Sequence, residues 1–214
     1  MTVYRLVIGV KHMITKQWLK WMITASSAVT VSLVMTVGQT ADDLATATFA
    51  GGCFWCMEEV FEKVEGVDTV ISGYTDGRVA DPTYQQVSAG RTGHTEAIQI
   101  AYDPSQVSYQ ELLEVFWRNI DPTTPDRQFC DRGSQYRAAI FYHDEEQQRL
   151  AEASRRAVEG SKPFKESIVT EIAAVSAFYP AEEYHQDYYL KNSIRYNFYK
   201  WSCGRAQRLE ELWG

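Results

Sequence analysis

The chain has 214 residues, 45% of them apolar, enough for one domain with a hydrophobic core of its own. Its formal charge of −7 argues against a general binder of nucleic acid or anionic membrane. Four cysteines in this length are too few for a disulfide-stapled miniature scaffold.

The first forty residues contain Arg5, Lys11, Lys16 and Lys20 and no acidic residue, and residues 21–38 carry no charge. A basic lead followed by an apolar run and small residues has the form of a secretory signal, so residues 1–41 are expected to direct export, to a periplasm. The alternative is an anchor in the inner membrane, because residues 21–38 reach transmembrane length; their Ser and Thr content favours export. Met13 is an alternative start that would leave the signal whole.

Beyond residue 41 there is no repeat and no low-complexity segment. "TATFAGG" reads as a short strand entering a glycine turn. Met57, Val60, Phe61 and Val64 then recur at helical spacing, with Gly66 as a stop. "VDTVISG" reads as a strand, followed by a turn-rich stretch from Tyr74 to Gly93. "HTEAIQIAY" alternates and ends at Asp103-Pro104, as a strand does. Ser108 and Glu111 form a capping box ahead of Leu112, Val115 and Phe116. "DPTTPDRQFCDRGSQ" reads as a loop, "YRAAIFYH" as a strand, and Asp144 as the cap of a helix ending near Gly160. "SIVTEIAAV" is expected as a strand, and Pro180 introduces an expected helix over "AEEYHQDYYLKN". Strands and helices mix without strict alternation, which predicts an α+β fold with helices on a mixed, largely antiparallel sheet.

Half of the cysteines fall in "GGCFWCMEEVF", as Cys53 and Cys56 at the start of the first helix. A structural zinc site wants two close ligand pairs, whereas Cys130 and Cys203 are isolated singles, so no metal is expected. For those two the plain reading is a structural bridge or free thiols, with Cys130 a packed thiol. A disulfide exchanger fits Cys-x-x-Cys at a helix N-terminus better, since both features favour the thiolate. Phe54 and Trp55 inside the motif are bulky for an exchanger; they suit either the core or a pocket for a small apolar group. Glu96 shares a strand face with Ile98 and Ile100. Desolvation there would raise its pKa and make it a general acid near neutral pH; solvation at the strand end, or pairing with an arginine, is the alternative. Tyr84 and Tyr136 stand beside turns, where their hydroxyls can donate.

The blocks "GGCFWCME", "GYTDG", "PTYQQVSAGRTGHTEAIQIAYDP", "FCDRGSQYRAAIF" and "FYPAEEYHQDYYLKN" resemble, in this order, the A-type peptide methionine sulfoxide reductases. The resemblance implies a two-layer α/β sandwich with a ferredoxin-like core, in a catalytic domain over residues 42–192. Residues 193–214 form a tail carrying Cys203. It implies Cys53 as nucleophile, Phe54 and Trp55 around the sulfoxide methyl, and Glu96 as the acid that protonates the sulfoxide oxygen. Tyr84 and Tyr136 would hydrogen-bond that oxygen, and Asp131 and His185 would also line the site. The implied reaction reduces methionine S-sulfoxide, free or in oxidised proteins, through a sulfenic acid on Cys53. No cofactor is implied beyond an external dithiol reductant such as thioredoxin, and the protein is expected to be a monomer. This chain has Cys56 where many members carry glycine. That departure leaves the resolving thiol open between Cys56 and Cys203; Cys56, three residues from Cys53 and within reach on the first helical turn, is expected to attack first, with Cys203, in a mobile loop, passing the disulfide outward.

Overall fold

The structure, a computed structural model, describes residues 44–214; the signal or anchor expected in residues 1–41 lies outside them. Strand β1 (Ala45–Gly51) runs into helix α1 (Phe54–Phe61), followed by β2 (Val67–Thr75), α2 (Tyr84–Ser88), β3 (Thr95–Tyr102) and α3 (Tyr109–Arg118). A minimal hairpin of β4 (Arg127–Gln128) and β5 (Asp131–Arg132) precedes β6 (Ala138–Tyr142), α4 (Glu145–Ser161), β7 (Glu171–Ala174) and β8 (Tyr179–Pro180). Three helices follow: α5 (Tyr188–Lys191), α6 (Ser193–Ser202) and α7 (Arg205–Trp213). Among the described residues, no helix is long and apolar enough to cross a membrane.

The main sheet has the order β7-β6-β1-β3-β2-β8, with antiparallel neighbours except for the parallel β6–β7 pair. Its four central strands, with α1 between β1 and β2 and α3 between β3 and β6, give the expected ferredoxin-like connectivity. Alternation decides the faces. Phe49, Ile98, Ile100 and Ile140 meet Phe61 of α1 and Leu112 and Phe116 of α3 in the main core. Phe49 lies at its centre, with ring centroids 5.4 Å from Phe61 and 5.1 Å from Phe116. Truncating it to alanine would cost about 3–5 kcal/mol. The opposite face is built of small residues, Ala50, Ala97 and Ala139 with Phe141, over which Val175 and Phe178 pack.

The two expected helix caps form. Ser108 and Glu111 make the reciprocal capping box, and the Asp144 carboxylate accepts from the Gln147 N–H. Four expectations need correction. The strand expected over residues 167–175 pairs only at Glu171–Ala174, and the loop over residues 121–135 holds the β4–β5 ladder. The helix expected over residues 181–192 is broken into a turn at Glu183–His185 and the short α5. The break has a cause. Gln186 turns its amide onto the edge of β2, accepting from the Ser72 N–H and donating to the Ser72 carbonyl. Asp187 takes a left-handed φ of 51° and donates its N–H to Glu58. Those side-chain and backbone bonds replace the intrahelical ladder. The stretch around Cys203, expected as a mobile loop, is instead a tight junction between α6 and α7, with Gly204 at φ 69°.

Candidate active site

The turn Gly51-Gly52 sets the start of α1. Gly52 has φ 81°, and a β-carbon there would lie 2.4 Å from the Gln128 side chain, so only glycine fits. Cys53 then occupies the N-cap position, but its side chain caps nothing. The free N–H of Phe54 donates instead to Oε2 of Glu96, at 3.1 Å. A helix end and a strand carboxyl are thus joined at the point where the first cysteine sits.

Glu96 is 3% exposed, and its partner is a backbone N–H rather than an arginine. Burial pushes its carboxyl up to about 8, assisted by the negative charge near Asp131 and opposed by the Phe54 N–H. At neutral pH it therefore holds a proton, as its apolar strand face predicts. The residue also lines a cavity beside Cys53.

That cavity, of about 60 Å³, is lined by Cys53, Phe54, Trp55, Tyr84, Glu96, Asp131, Tyr136 and Tyr199. It has room for a group of a few heavy atoms, and its wall is mostly aromatic. A larger groove of about 960 Å³ between α3 and α4 is lined by neither cysteine nor any candidate site residue. The chemistry belongs to the small cavity. Burial raises Tyr84 to about 12 and pushes Tyr136 and Asp131 up as well, so both phenols stay protonated donors.

His185 is placed differently from expectation. It stands behind the aromatic wall, not in the cavity lining. Its Nδ1 accepts from the Trp55 indole at 3.1 Å, and its ring lies 4.3 Å from that of Tyr84 and 5.2 Å from that of Phe54. Burial lowers its pKa, and the neutral ring this favours is what the indole N–H needs as an acceptor. Tyr188 stacks on the opposite side of Trp55 at 3.8 Å, so the indole is clamped.

The four cysteines form two separate pairs. Cys53 and Cys56 are free, buried and hydrogen-bonded to each other. Burial, with the bond to Cys56, pushes the Cys53 thiol up. That bond lowers Cys56, helped by Arg205, the Tyr196 hydroxyl and Lys200. Cys130 and Cys203 are joined in a disulfide, which corrects the reading of Cys130 as a packed thiol; it is exposed.

Tyr199 is the lining residue the sequence did not mark. Its hydroxyl donates to Asp131, and its ring meets Trp55 edge-on at 6.1 Å. Tyr196, one helical turn earlier, packs with both free cysteines. The two tyrosines at i and i+3 are the signal that a helix face in the tail is turned inward.

Comparison with known proteins agrees with this geometry. The family described as "Peptide methionine sulfoxide reductase" matches residues 45–214. The Listeria monocytogenes protein named peptide methionine sulfoxide reductase MsrA is 52% identical, over 81% of this chain and 98% of its own. The Bacillus subtilis protein of that name is 51% identical, over 78% and 95%. The crystal structure of reduced Mxr1 from Saccharomyces cerevisiae superposes with a TM-score of 0.68 at 30% identity, covering 74% of this chain and 91% of that one. This chain belongs to the peptide methionine sulfoxide reductase family.

Proposed function

We propose that the protein reduces methionine S-sulfoxide, free or in oxidised proteins, to methionine, and that Cys53 and Glu96 carry the chemistry. The observation behind this reading is the meeting of a helix-terminal thiol and a protonated, buried carboxyl in a cavity that fits a methyl sulfoxide group. A sulfoxide sulfur becomes electrophilic when its oxygen takes a proton. Tyr84 and Tyr136 hold the oxygen, Phe54 and Trp55 enclose the methyl, and Glu96 delivers the proton. The Cys53 sulfur attacks, the sulfur–oxygen bond of the substrate breaks, and the oxygen stays on Cys53 as a sulfenic acid while methionine leaves. The thiol proton of Cys53 restores Glu96, so atoms and charge balance. Cys56 then displaces the hydroxyl as water and forms the Cys53–Cys56 disulfide. An external dithiol of the thioredoxin type resets it; a solved structure holds yeast Mxr1 in complex with Trx2. Cys203 can join that traffic only after its bridge to Cys130 is opened.

Export through residues 1–41 is part of the proposal. The exposed Cys130–Cys203 bridge supports it, since such bonds persist in oxidising compartments.

The test is turnover of the separate S and R epimers with dithiothreitol as reductant. Methionine should appear from the S epimer. Turnover of the R epimer alone, or insulin reduction with no sulfoxide turnover, rejects the reading.

A further inference from the structure

Arg205, the second residue after the bridged Cys203, is 4% exposed. A guanidinium buried this deeply normally faces a carboxylate. Here none is in contact: among the described residues no carboxylate lies at ion-pair distance from Arg205, and Asp131 feels its charge only from further off. Its donors go to the Asn119 carbonyl, to the Gly51 carbonyl at 3.5 Å and to the Met57 sulfur at 3.1 Å. Its flat face lies 4.4 Å from the Phe129 ring centroid. Neutral acceptors and a π face hold the cation without cancelling its charge.

The two acceptors on the first half of the chain bracket the cysteines. Gly51 precedes Cys53 by two residues and Met57 directly follows Cys56. We infer that Arg205 is a positioning residue that supplies the counter-charge for a thiolate on Cys56, keeping the resolving sulfur ready to attack the Cys53 sulfenic acid. This rests on the reductase reading only in naming Cys56 as the resolving thiol.

The other groups facing Cys56 are the Cys53 thiol, the Tyr196 and Tyr199 hydroxyls, the Lys200 ammonium and the Glu96 carboxyl. Lys200 shares the Glu59 carboxylate with Lys63, and Tyr196 also donates to it. Arg205 is the more deeply buried of the two cations near the pair and, among the described residues, has no carboxylate at ion-pair distance. Cys56 gives its proton to solvent and attacks sulfur as the thiolate, the hydroxide released from Cys53 leaves as water with a proton from Glu96, and solvent returns a proton to Glu96. One S–S bond forms and one S–O bond breaks.

The test titrates the ultraviolet thiolate absorbance of Cys53→Ser, in which Cys56 is the lone free thiol. We expect a midpoint well below the ordinary thiol value of about 8.5. Adding Arg205→Gln, which keeps donors but removes charge, should raise it by about one pH unit, tenfold less thiolate at a given pH. Arg205→Lys should restore most of the shift. With Cys53 present, Arg205→Gln should leave the single-turnover methionine burst intact and slow closure of the Cys53–Cys56 disulfide by about tenfold. A midpoint at or above about 8.5 with Arg205 in place overturns the inference, and this readout needs no change at Arg205. An unmoved midpoint in a folded Arg205→Gln protein overturns it equally, even if closure slows. Neither result touches the reductase reading, which falls only if Cys53→Ser keeps its turnover.

Discussion

The two cysteine pairs of this molecule have the same chemistry available and use it in opposite ways. Cys53 and Cys56 lie three residues apart, buried and reduced, at the start of α1. Cys130 and Cys203 lie 73 residues apart and are joined, Cys130 exposed and Cys203 half-buried. The first pair closes a loop too short to restrict the unfolded chain much. The second restricts it strongly, worth about 4 kcal/mol by loop length alone. Around the first pair stand an acid, the phenols of Tyr84, Tyr136, Tyr196 and Tyr199, and a buried guanidinium. The second ties the β4–β5 hairpin, which carries Asp131, to the end of α6, which carries Tyr199. Sequence separation and surroundings, more than the residue type, divide redox work from fastening.

The comparison breaks most decisively at Cys53. Cys53→Ser should lower turnover by more than ~10³-fold with the fold unchanged; methionine release above a few per cent of wild type would show that another group is the nucleophile. Next is Glu96→Gln, which keeps a hydrogen bond but has no proton to give, with an expected loss of roughly 10²–10⁴-fold. The same variant has a stability signature. Glu96 titrates at about 8 when folded against 4.5 in a free carboxyl. The folded state therefore retains a proton that the unfolded chain loses across that interval. Stability from this group is full below 4.5, declines as pH rises, and is gone above about 8. Melting temperature should fall over that window, and Glu96→Gln should flatten part of the slope; Glu58, which burial raises to about 7, and Glu62 and Asp131, which burial also raises, contribute in the same direction.

Cys56→Ser sharpens the contrast within the buried pair. One methionine per enzyme should still be released, while steady-state turnover with a thioredoxin-type reductant slows by about tenfold or more. Normal recycling in this variant, with a Cys53–Cys203 bridge found by mass mapping, would transfer the resolving role to the outer pair. The smallest effect on rate is expected from Cys203→Ser. It should cost about 2–4 kcal/mol of stability in denaturant unfolding and change turnover only a few-fold. A large loss of recycling with stability unchanged would make the outer bridge a redox relay.

Much of the site is legible in the sequence because its residues sit where local rules apply. Glu96 shows itself as a carboxyl on an alternating apolar face, and the start of α1 as a glycine turn before a helical period. The caps at Ser108 and Asp144 follow from side chain to backbone bonds three residues long. What stays hidden depends on distant contacts. Nothing near Arg205 says that it will meet Gly51 and Met57, 154 and 148 residues away. Gln186 and Asp187 carry helix-compatible neighbours, and only the edge of β2 and the Glu58 carboxylate pull them out of a helix. Ser202 and Gly204 suggest a loop because small residues mark turns. The turn is there, but a disulfide and two packed helices hold it.

The sealing of every sulfur also decides which competitors the sulfenic acid meets. All four cysteines are accounted for, two buried and two bonded to each other, so the chain offers no free thiol to solvent. Two copies therefore have no means of cross-linking through cysteine while the outer bridge stands. Cys56 lies one helical turn from Cys53 and is buried beside it, so the oxidised Cys53 has an intramolecular partner at hand before an external thiol arrives. Hydrogen peroxide is small enough to enter the cavity of about 60 Å³. Protection from the irreversible sulfinic acid is then a race, won by the speed of Cys56 rather than by any gate.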